Sequence, residues 1–74
     1  MTALRIKYDR EADAAYVYLC EEIPAGGVAQ TVPVDPKAIG GMVNLDLDDG
    51  GRIIGLEVLD ASELLRPELL PADD

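Results

Sequence analysis

The segment from Met42 to Leu59 constrains the fold more than any other part of this sequence. Its first half alternates aliphatic residues with Asn and Asp, which is the period of two that a half-buried strand shows. The four residues Asp48 to Gly51 tolerate the positive φ of a tight turn, and a second apolar run, Ile53 to Leu59, follows them. The segment therefore predicts a β-hairpin, around which the other elements of the chain are arranged.

Three further strands are predicted before the hairpin. Ala3 to Tyr8 alternates between an apolar and a basic face, and Ala14 to Cys20 is apolar on both faces, which is typical of a central strand or an interface strand. Val28 to Val34 is predicted to be an edge strand, since Pro33 cannot donate a ladder hydrogen bond. The short connections favour antiparallel pairing of strands that are neighbours in the chain.

A short helix is predicted after the hairpin. Asp60 is placed as its N-cap, and Glu63, three residues later, completes a capping box. Pro67 ends the helix near Arg66, because proline disfavours helical backbone at the residue before it. So short a helix is not stable alone, and we expect it to dock on the sheet through leucine side chains.

The predicted fold is α+β and mainly β: a five-stranded antiparallel meander with one short C-terminal helix. We expect a single domain over residues 1–74, with its core in 3–66 and a tail over 67–74. So short a chain buries only about 60% of the surface that its unfolded state exposes. This one has no Phe, Trp or His and a single cysteine, Cys20, so large aromatic rings, a disulfide and histidine metal ligands cannot stabilise it. Self-association is the remaining way for the domain to gain stability.

A homo-oligomer is therefore predicted, with its contact on the sheet face opposite the helix or on the leucine-rich tail. Tyr16 and Tyr18 lie opposite the aliphatic face of their strand, where internal packing and a subunit contact are equally consistent with the pattern. The tail has two adjacent leucines that a soluble monomer would hardly leave exposed, so they are expected either to close the open end of the sheet or to bind a neighbouring chain. The candidate interface residues are Tyr16, Tyr18, Leu64, Leu65, Leu69 and Leu70.

The formal net charge of −9 restricts the classes of partner. A phosphate backbone repels so acidic a chain, and we expect no nucleic-acid binding. A small basic protein or a cation would be attracted, although the same charge also serves solubility. No apolar run approaches the roughly 20 residues of a membrane span, no signal-peptide core is present, and a lone thiol fits a reducing compartment. A cytoplasmic protein without membrane contact is predicted.

The segment from Asp46 to Glu57 offers an alternative function, the binding of a divalent cation. Its acids and glycine follow the spacing of an EF-hand calcium loop, with Asp46, Asp48 and Glu57 as the candidate metal ligands. However, Gly50 occupies a position that requires a ligand, and the flanking residues alternate like strands instead of forming helices. The other interpretation, which we favour, is that these acids are the solvated face of the hairpin.

No residues are predicted to be catalytic. Cys20 and Ser62 have no histidine to activate them. The acidic cluster Asp9, Glu11 and Asp13 falls in a turn, where solvent keeps the pKa values of neighbouring carboxyls from being driven apart. We therefore expect Asp9 or Asp13 to bond turn amides, and we expect a protein that is not an enzyme and that has no cofactor.

Three segments resemble a family of short prokaryotic proteins, Domain of Unknown Function 2283. Tyr8 to Leu19 resembles the family pattern YD-x-EADA-x-Y, Val43 to Gly50 resembles V-x-V-D-x-D-x-x-G, and Ile54 to Ser62 resembles G-[IL]-E-[IL]-L-x-AS. The chain departs from the family in the Ile39-Gly40-Gly41 connection and in the tail beyond Leu65. The resemblance implies a small β-rich fold and no established activity. It also leaves open an antitoxin-like role, since some similar acidic proteins are thought to be encoded beside small toxins.

Overall fold

A computed structural model describes residues 4–71, and their strands form one antiparallel sheet. Two four-residue helices and a 3₁₀ turn, Pro67–Leu69, complete the described chain. The predicted fold class, mainly β with a five-stranded antiparallel sheet, is confirmed. Ala3, where the first strand was predicted to begin, and the last three residues of the predicted tail lie outside the described range. The elements are β1 (Arg5–Asp9), β2 (Ala14–Tyr18), β3 (Gln30–Pro33), α1 (Pro36–Ile39), β4 (Val43–Leu47), β5 (Ile53–Leu59) and α2 (Ala61–Leu64).

The order of strands in the sheet is β1-β2-β5-β4-β3, which differs from the consecutive order of a meander. β2 pairs with β5 and not with β3, because the long connection over 19–29 takes the chain to the far edge of the sheet. β5 is therefore the central strand, while β2 lies second from one edge. β3 is at the other edge, as Pro33 predicted.

The predicted hairpin is formed by β4 and β5. Asp48 closes its turn: one carboxylate oxygen, Oδ1, accepts hydrogen bonds from the backbone N–H groups of Gly50 and Arg52, both at 2.9 Å. Gly51 has a φ of 81°, which a residue with a side chain rarely adopts. A register shift between Asp46 and Leu47 shows that the pairing is irregular next to the turn.

Helix α1 lies in the connection between β3 and β4, where the sequence analysis predicted no helix. Asp35 caps it by accepting a hydrogen bond of 3.0 Å from the backbone N–H of Lys37, and Pro36 follows as the first helical residue. Gly40, in left-handed conformation, ends the helix. At Gly41 an added Cβ would lie 2.7 Å from a methyl carbon of Leu64, so this glycine lets the connection approach α2.

Helix α2 begins at Ala61, as predicted, but it ends at Leu64, before the predicted boundary near Arg66. The predicted N-cap is wrong: Asp60 has left-handed backbone with a φ of 54°, and its side chain makes no capping hydrogen bond. Its backbone carbonyl instead accepts from the N–H groups of Glu63 and Leu64. Across residues 4–71, neither the length nor the composition of any helix suits a membrane crossing.

The two faces of the sheet differ sharply in chemistry. The register aligns one aliphatic residue from every strand across one face, and we call these five residues the aliphatic row. A second row on the same face contains Tyr8, Ala15, Val58 and Val43. We call this side of the sheet the aliphatic face. The opposite side, which we call the polar face, has every Asp, Glu, Lys and Arg of the five strands. The aliphatic row consists of Ile6, Val17, Leu56, Leu45 and Val32.

The buried core is small and lies at one corner of the aliphatic face. Its hydrophobic members are Ala15, Val58 and Ala61, which are 2%, 3% and 0% exposed. Helix α2 and the following turn cover this corner, and Leu64, Leu65 and Leu70 are among the side chains that pack around it. None of the leucines in the described chain is itself buried. The elements after β5 therefore cover only part of the aliphatic face.

Candidate functional site

Asp13 joins the first turn of the chain to helix α2. Its Oδ1 accepts hydrogen bonds from the Tyr8 hydroxyl at 2.6 Å and from the Ser62 backbone N–H at 3.0 Å. Its Oδ2 accepts from the Ser62 hydroxyl at 2.7 Å, and its backbone carbonyl accepts from the Ala61 N–H at 2.9 Å. Asp13 thus provides the cap that Asp60 was predicted to provide. We call Tyr8, Asp13, Ala61 and Ser62 the clasp.

The clasp keeps the Asp13 carboxylate ionised. The hydrogen bonds from Tyr8 and then from Ser62 lower the pKa of Asp13, because they stabilise the charged form. A general acid or base needs the opposite shift, toward neutral pH. The residue also has a φ of 52°, a left-handed conformation that Asp tolerates better than most residues. We interpret Asp13 as a structural acceptor.

The rest of the acidic turn agrees in part with the prediction that its acids bond turn amides. Asp9 Oδ1 accepts from the backbone N–H groups of Glu11 and Ala12, at 3.1 and 3.3 Å. For Asp9 the prediction is confirmed. Asp13 bonds the amide of α2 instead, and Glu11 is exposed. The three acids are thus used separately.

The polar face contains a hydrogen-bonded network that the sequence analysis did not predict. The Tyr16 hydroxyl donates to Asp46 Oδ2 at 2.6 Å, and the Thr31 hydroxyl donates to Asp46 Oδ1 at 2.7 Å. Beside them, the Asn44 amide donates to Glu57 at 3.1 Å. Burial, followed by the hydrogen bond to Asp46, raises the pKa of Tyr16 well above its usual value. The Tyr16 proton is therefore held in place and is unsuited to transfer.

Gly55 explains why the Tyr16 ring lies flat enough to reach Asp46. A Cβ added at Gly55 would overlap the Tyr16 hydroxyl, so the ring crosses the sheet over the glycine. The rings of Tyr16 and Tyr18 contact each other edge to face, with centroids 4.8 Å apart, and the Arg5 guanidinium lies 4.0 Å above the Tyr18 ring. The sequence offered no signal for this contact, because Gly55 lies diagonal to Tyr16 only when β2 pairs with β5.

The predicted interface residues fall into two groups. Tyr16 and Tyr18 are half-buried and pack internally on the polar face, and whether they also contact a second subunit stays a prediction. The other candidates are the four leucines of α2 and of the segment that follows it. Leu70 packs toward the core, whereas Leu69 is 45% exposed. Leu64 and Leu65 line a groove of about 450 Å³ on the aliphatic face.

The candidate metal ligands are not brought together. Asp46 accepts from Tyr16 and Thr31, and Glu57 accepts from Asn44. Asp48 bonds the amides of its own turn, and the bond from the Arg52 N–H, foremost, lowers its pKa. Within residues 4–71, no three potential metal-ligating side chains form a group.

An open groove of about 420 Å³ on the polar face has both charges along its walls. Its lining includes the cation Lys7, the anions Asp9 and Glu57, and the Tyr16 ring. Cys20 lies elsewhere, half-buried at the far end of the sheet, where its thiol donates to the Glu22 carbonyl at 3.4 Å. The groove and the thiol therefore do not form one site.

Comparison with known proteins places the chain in a family without assigning it an activity. No curated protein and no solved structure matches it significantly. A family model described as "Protein of unknown function (DUF2283)" matches residues 5–62, which include every strand of the sheet and the whole clasp. The resemblance found in the three sequence segments is thereby confirmed, and the chain belongs to the DUF2283 family.

Proposed function

We propose that this chain is a small, non-enzymatic protein-interaction module that acts as a homo-oligomer. The observation that supports this proposal is the incomplete cover of the aliphatic face. Domains are built from at least two packed layers, and here the second layer, α2 and the 3₁₀ turn, is too short to cover a five-stranded sheet. A second polypeptide would supply the missing layer.

Two pKa shifts among the described residues support the non-enzymatic part of the proposal. The pKa of the Asp13 carboxylate is lowered and that of the Tyr16 hydroxyl is raised, so both are shifted away from neutrality. Their hydrogen bonds connect strands and a helix. An activity that survived purification and was lost in Asp46→Asn or Asp13→Asn protein of unchanged stability would contradict this part.

The net charge of −9 favours a small basic protein as a further partner, which is compatible with an antitoxin-like role in the cytoplasm. Binding of this kind weakens as salt rises, because exposed charges are screened beyond about 10 Å at 0.1 M ionic strength. A basic partner isolated from the native cell extract should therefore be released by salt. Retention at high salt would contradict the electrostatic basis.

Sedimentation velocity over a range of concentrations tests self-association. The expected result is a species of at least twice the chain mass of 7.9 kDa at tens of micromolar, shifting to monomer on dilution. A single monomeric species at several hundred micromolar would contradict the proposal. The measurement needs physiological salt, since low salt exaggerates repulsion between acidic chains.

A further inference from the structure

We infer that two copies of this chain associate through their aliphatic faces, sheet against sheet. The inference rests on the proposed self-association and identifies its surface. In the homo-oligomer predicted from sequence, the contact was expected on the face opposite the helix or on the tail. The surface inferred here is the face beside the helix.

The aliphatic face has the composition of an interface core. Its central feature is the aliphatic row, and no Asp, Glu, Lys or Arg within the five strands points to this side of the sheet. Removal of charged side chains from the centre of a contact is the main compositional mark of interface cores. All five members of the row are half-buried, and none is covered completely.

The uncovered area continues from the row to the helices. Ile39 of α1 is 40% exposed. Between α1, α2 and the sheet lies the apolar groove of about 450 Å³, which has Leu56 at its floor and Leu64 on its wall. An apolar surface of this extent on a short chain marks a contact site.

The other possible contact surfaces are less suitable. At one edge of the sheet β3 contains Pro33, and at the other β1 has the exposed basic residues Arg5 and Lys7, both of which discourage pairing with another strand. On the polar face the carboxylates of Asp46 and Glu57 already have partners. Burying that face would remove from water the charges of Arg5, Lys7, Asp9, Asp46 and Glu57, a desolvation cost that the aliphatic face does not have.

Charge selects a second copy of the chain as the occupant. In a two-fold dimer each patch meets its own copy, so a patch with net charge would face the same charge. An acidic chain therefore self-associates most readily through a patch without net charge, and the aliphatic face, which has no charged strand residue, meets that condition. A basic partner, by contrast, would gain nothing electrostatic from this face. The acidic groups of both copies would remain on the outside.

The dimensions of the face predict a dimer of modest affinity. Five strands about 4.8 Å apart, each about 17 Å long, give a sheet face of roughly 350 Å². A standard interface buries about 800 Å² per partner. Projecting side chains and the groove around Leu64 and Ile39 increase the area, but the total stays near the lower limit for a stable complex. We expect dissociation in the micromolar range.

Two adjacent residues of β3 provide a matched test. Val32 belongs to the aliphatic row, whereas Thr31 lies on the polar face of the same strand and is exposed. The dissociation constant, measured by sedimentation, should rise at least about tenfold in Val32→Lys protein, because a charge would be buried in the contact. In Thr31→Lys protein it should stay within about threefold of the wild-type value.

Isotope-filtered NMR of the unmodified chain provides evidence that does not depend on the folding of a variant. In a mixture of labelled and unlabelled copies, intermolecular contacts should connect the methyl groups of Leu45 and Leu56 with those of the other copy. Contacts from the rings of Tyr16 or Tyr18 instead would overturn the inference, as would a dimer that only Thr31→Lys dissociates. Either result leaves self-association intact, whereas a monomeric wild type ends both proposals.

Discussion

Two regions of the same sheet face, the corner under α2 and the aliphatic row beside it, differ in how completely the chain covers them. At the corner Ala15, Val58 and Ala61 are almost inaccessible, and the clasp fixes the helix above them. In the row, aliphatic side chains remain partly exposed. The difference teaches that the chain covers one corner of this face completely by itself and the rest of the face only in part.

Part of the family pattern belongs to the covered region. Tyr8, Asp13 and Ala15 come from the YD-x-EADA-x-Y segment, and Ala61 and Ser62 from the terminal AS. The alanines let the helix approach the sheet closely, and the polar residues form the clasp. This part of the family pattern therefore describes how one corner of the fold is closed, whereas Val17, Leu45 and Leu56 of the same three segments lie in the aliphatic row.

The largest expected effect comes from shortening one valine in each region. Val58→Ala removes methyl groups from the corner and should lower the free energy of unfolding by about 2 kcal/mol, since a cavity is left. Val32→Ala removes the same groups from the row and should cost less than about 1 kcal/mol in dilute, monomeric protein. Urea denaturation measures both. Equal losses would contradict the distinction between the regions.

A smaller effect should separate two aspartates that share one backbone conformation. Asp13 and Asp60 have φ values of 52° and 54°, but only the Asp13 side chain bonds the helix. Asp13→Gly should lower the melting temperature by about 5 °C, because the clasp loses its acceptor. Asp60→Gly should change it by less than about 2 °C, since glycine adopts this φ without strain. A fall in melting temperature as large for Asp60→Gly as for Asp13→Gly would show that the backbone conformation, and not the clasp, determines the effect.

The smallest effect is a dependence on pH. The folded-state pKa of Asp13 lies below its unfolded value of 3.8, so its ionised form stabilises the fold above that pH, and the contribution disappears as pH falls through the folded pKa. The gap in melting temperature between wild type and Asp13→Asn should therefore be constant near neutrality and shrink below pH 3.8. Asp48→Asn is the control, because the pKa of Asp48 is also lowered but its carboxylate bonds the hairpin turn instead of α2. A gap that widens in acid would contradict the assignment.

Local patterns in the sequence were sufficient to predict the strands. The alternation around Asp48 to Gly51 predicted the β4–β5 hairpin, and Pro33 predicted the edge position of β3. Helix α1 was missed although Asp35, Pro36 and Gly40 are its ordinary boundary signals. Four residues are too few to show an apolar period, so only the boundary residues could have indicated it.

Contacts between distant segments could not be predicted from the spacing of residues in the sequence. The Asp13–Ser62 bonds join residues 49 apart, and the Tyr16–Asp46 bond joins residues 30 apart. Asp60 was the nearest candidate for the cap, but it has left-handed backbone and its side chain makes no capping hydrogen bond. For the same reason the pairing of β2 with β5 could not be predicted, since it depends on the path of the connection over 19–29.

The strand order has a consequence for synthesis on the ribosome. β5 emerges last of the five strands, yet it joins β2 to β4 in the middle of the sheet. Until Ile53 to Leu59 has emerged, the nascent chain has two hairpins, β1–β2 and β3–β4, that do not pair with each other. Neither hairpin is stable alone in water. The sheet can therefore be completed only after this seven-residue strand has emerged and paired with both hairpins.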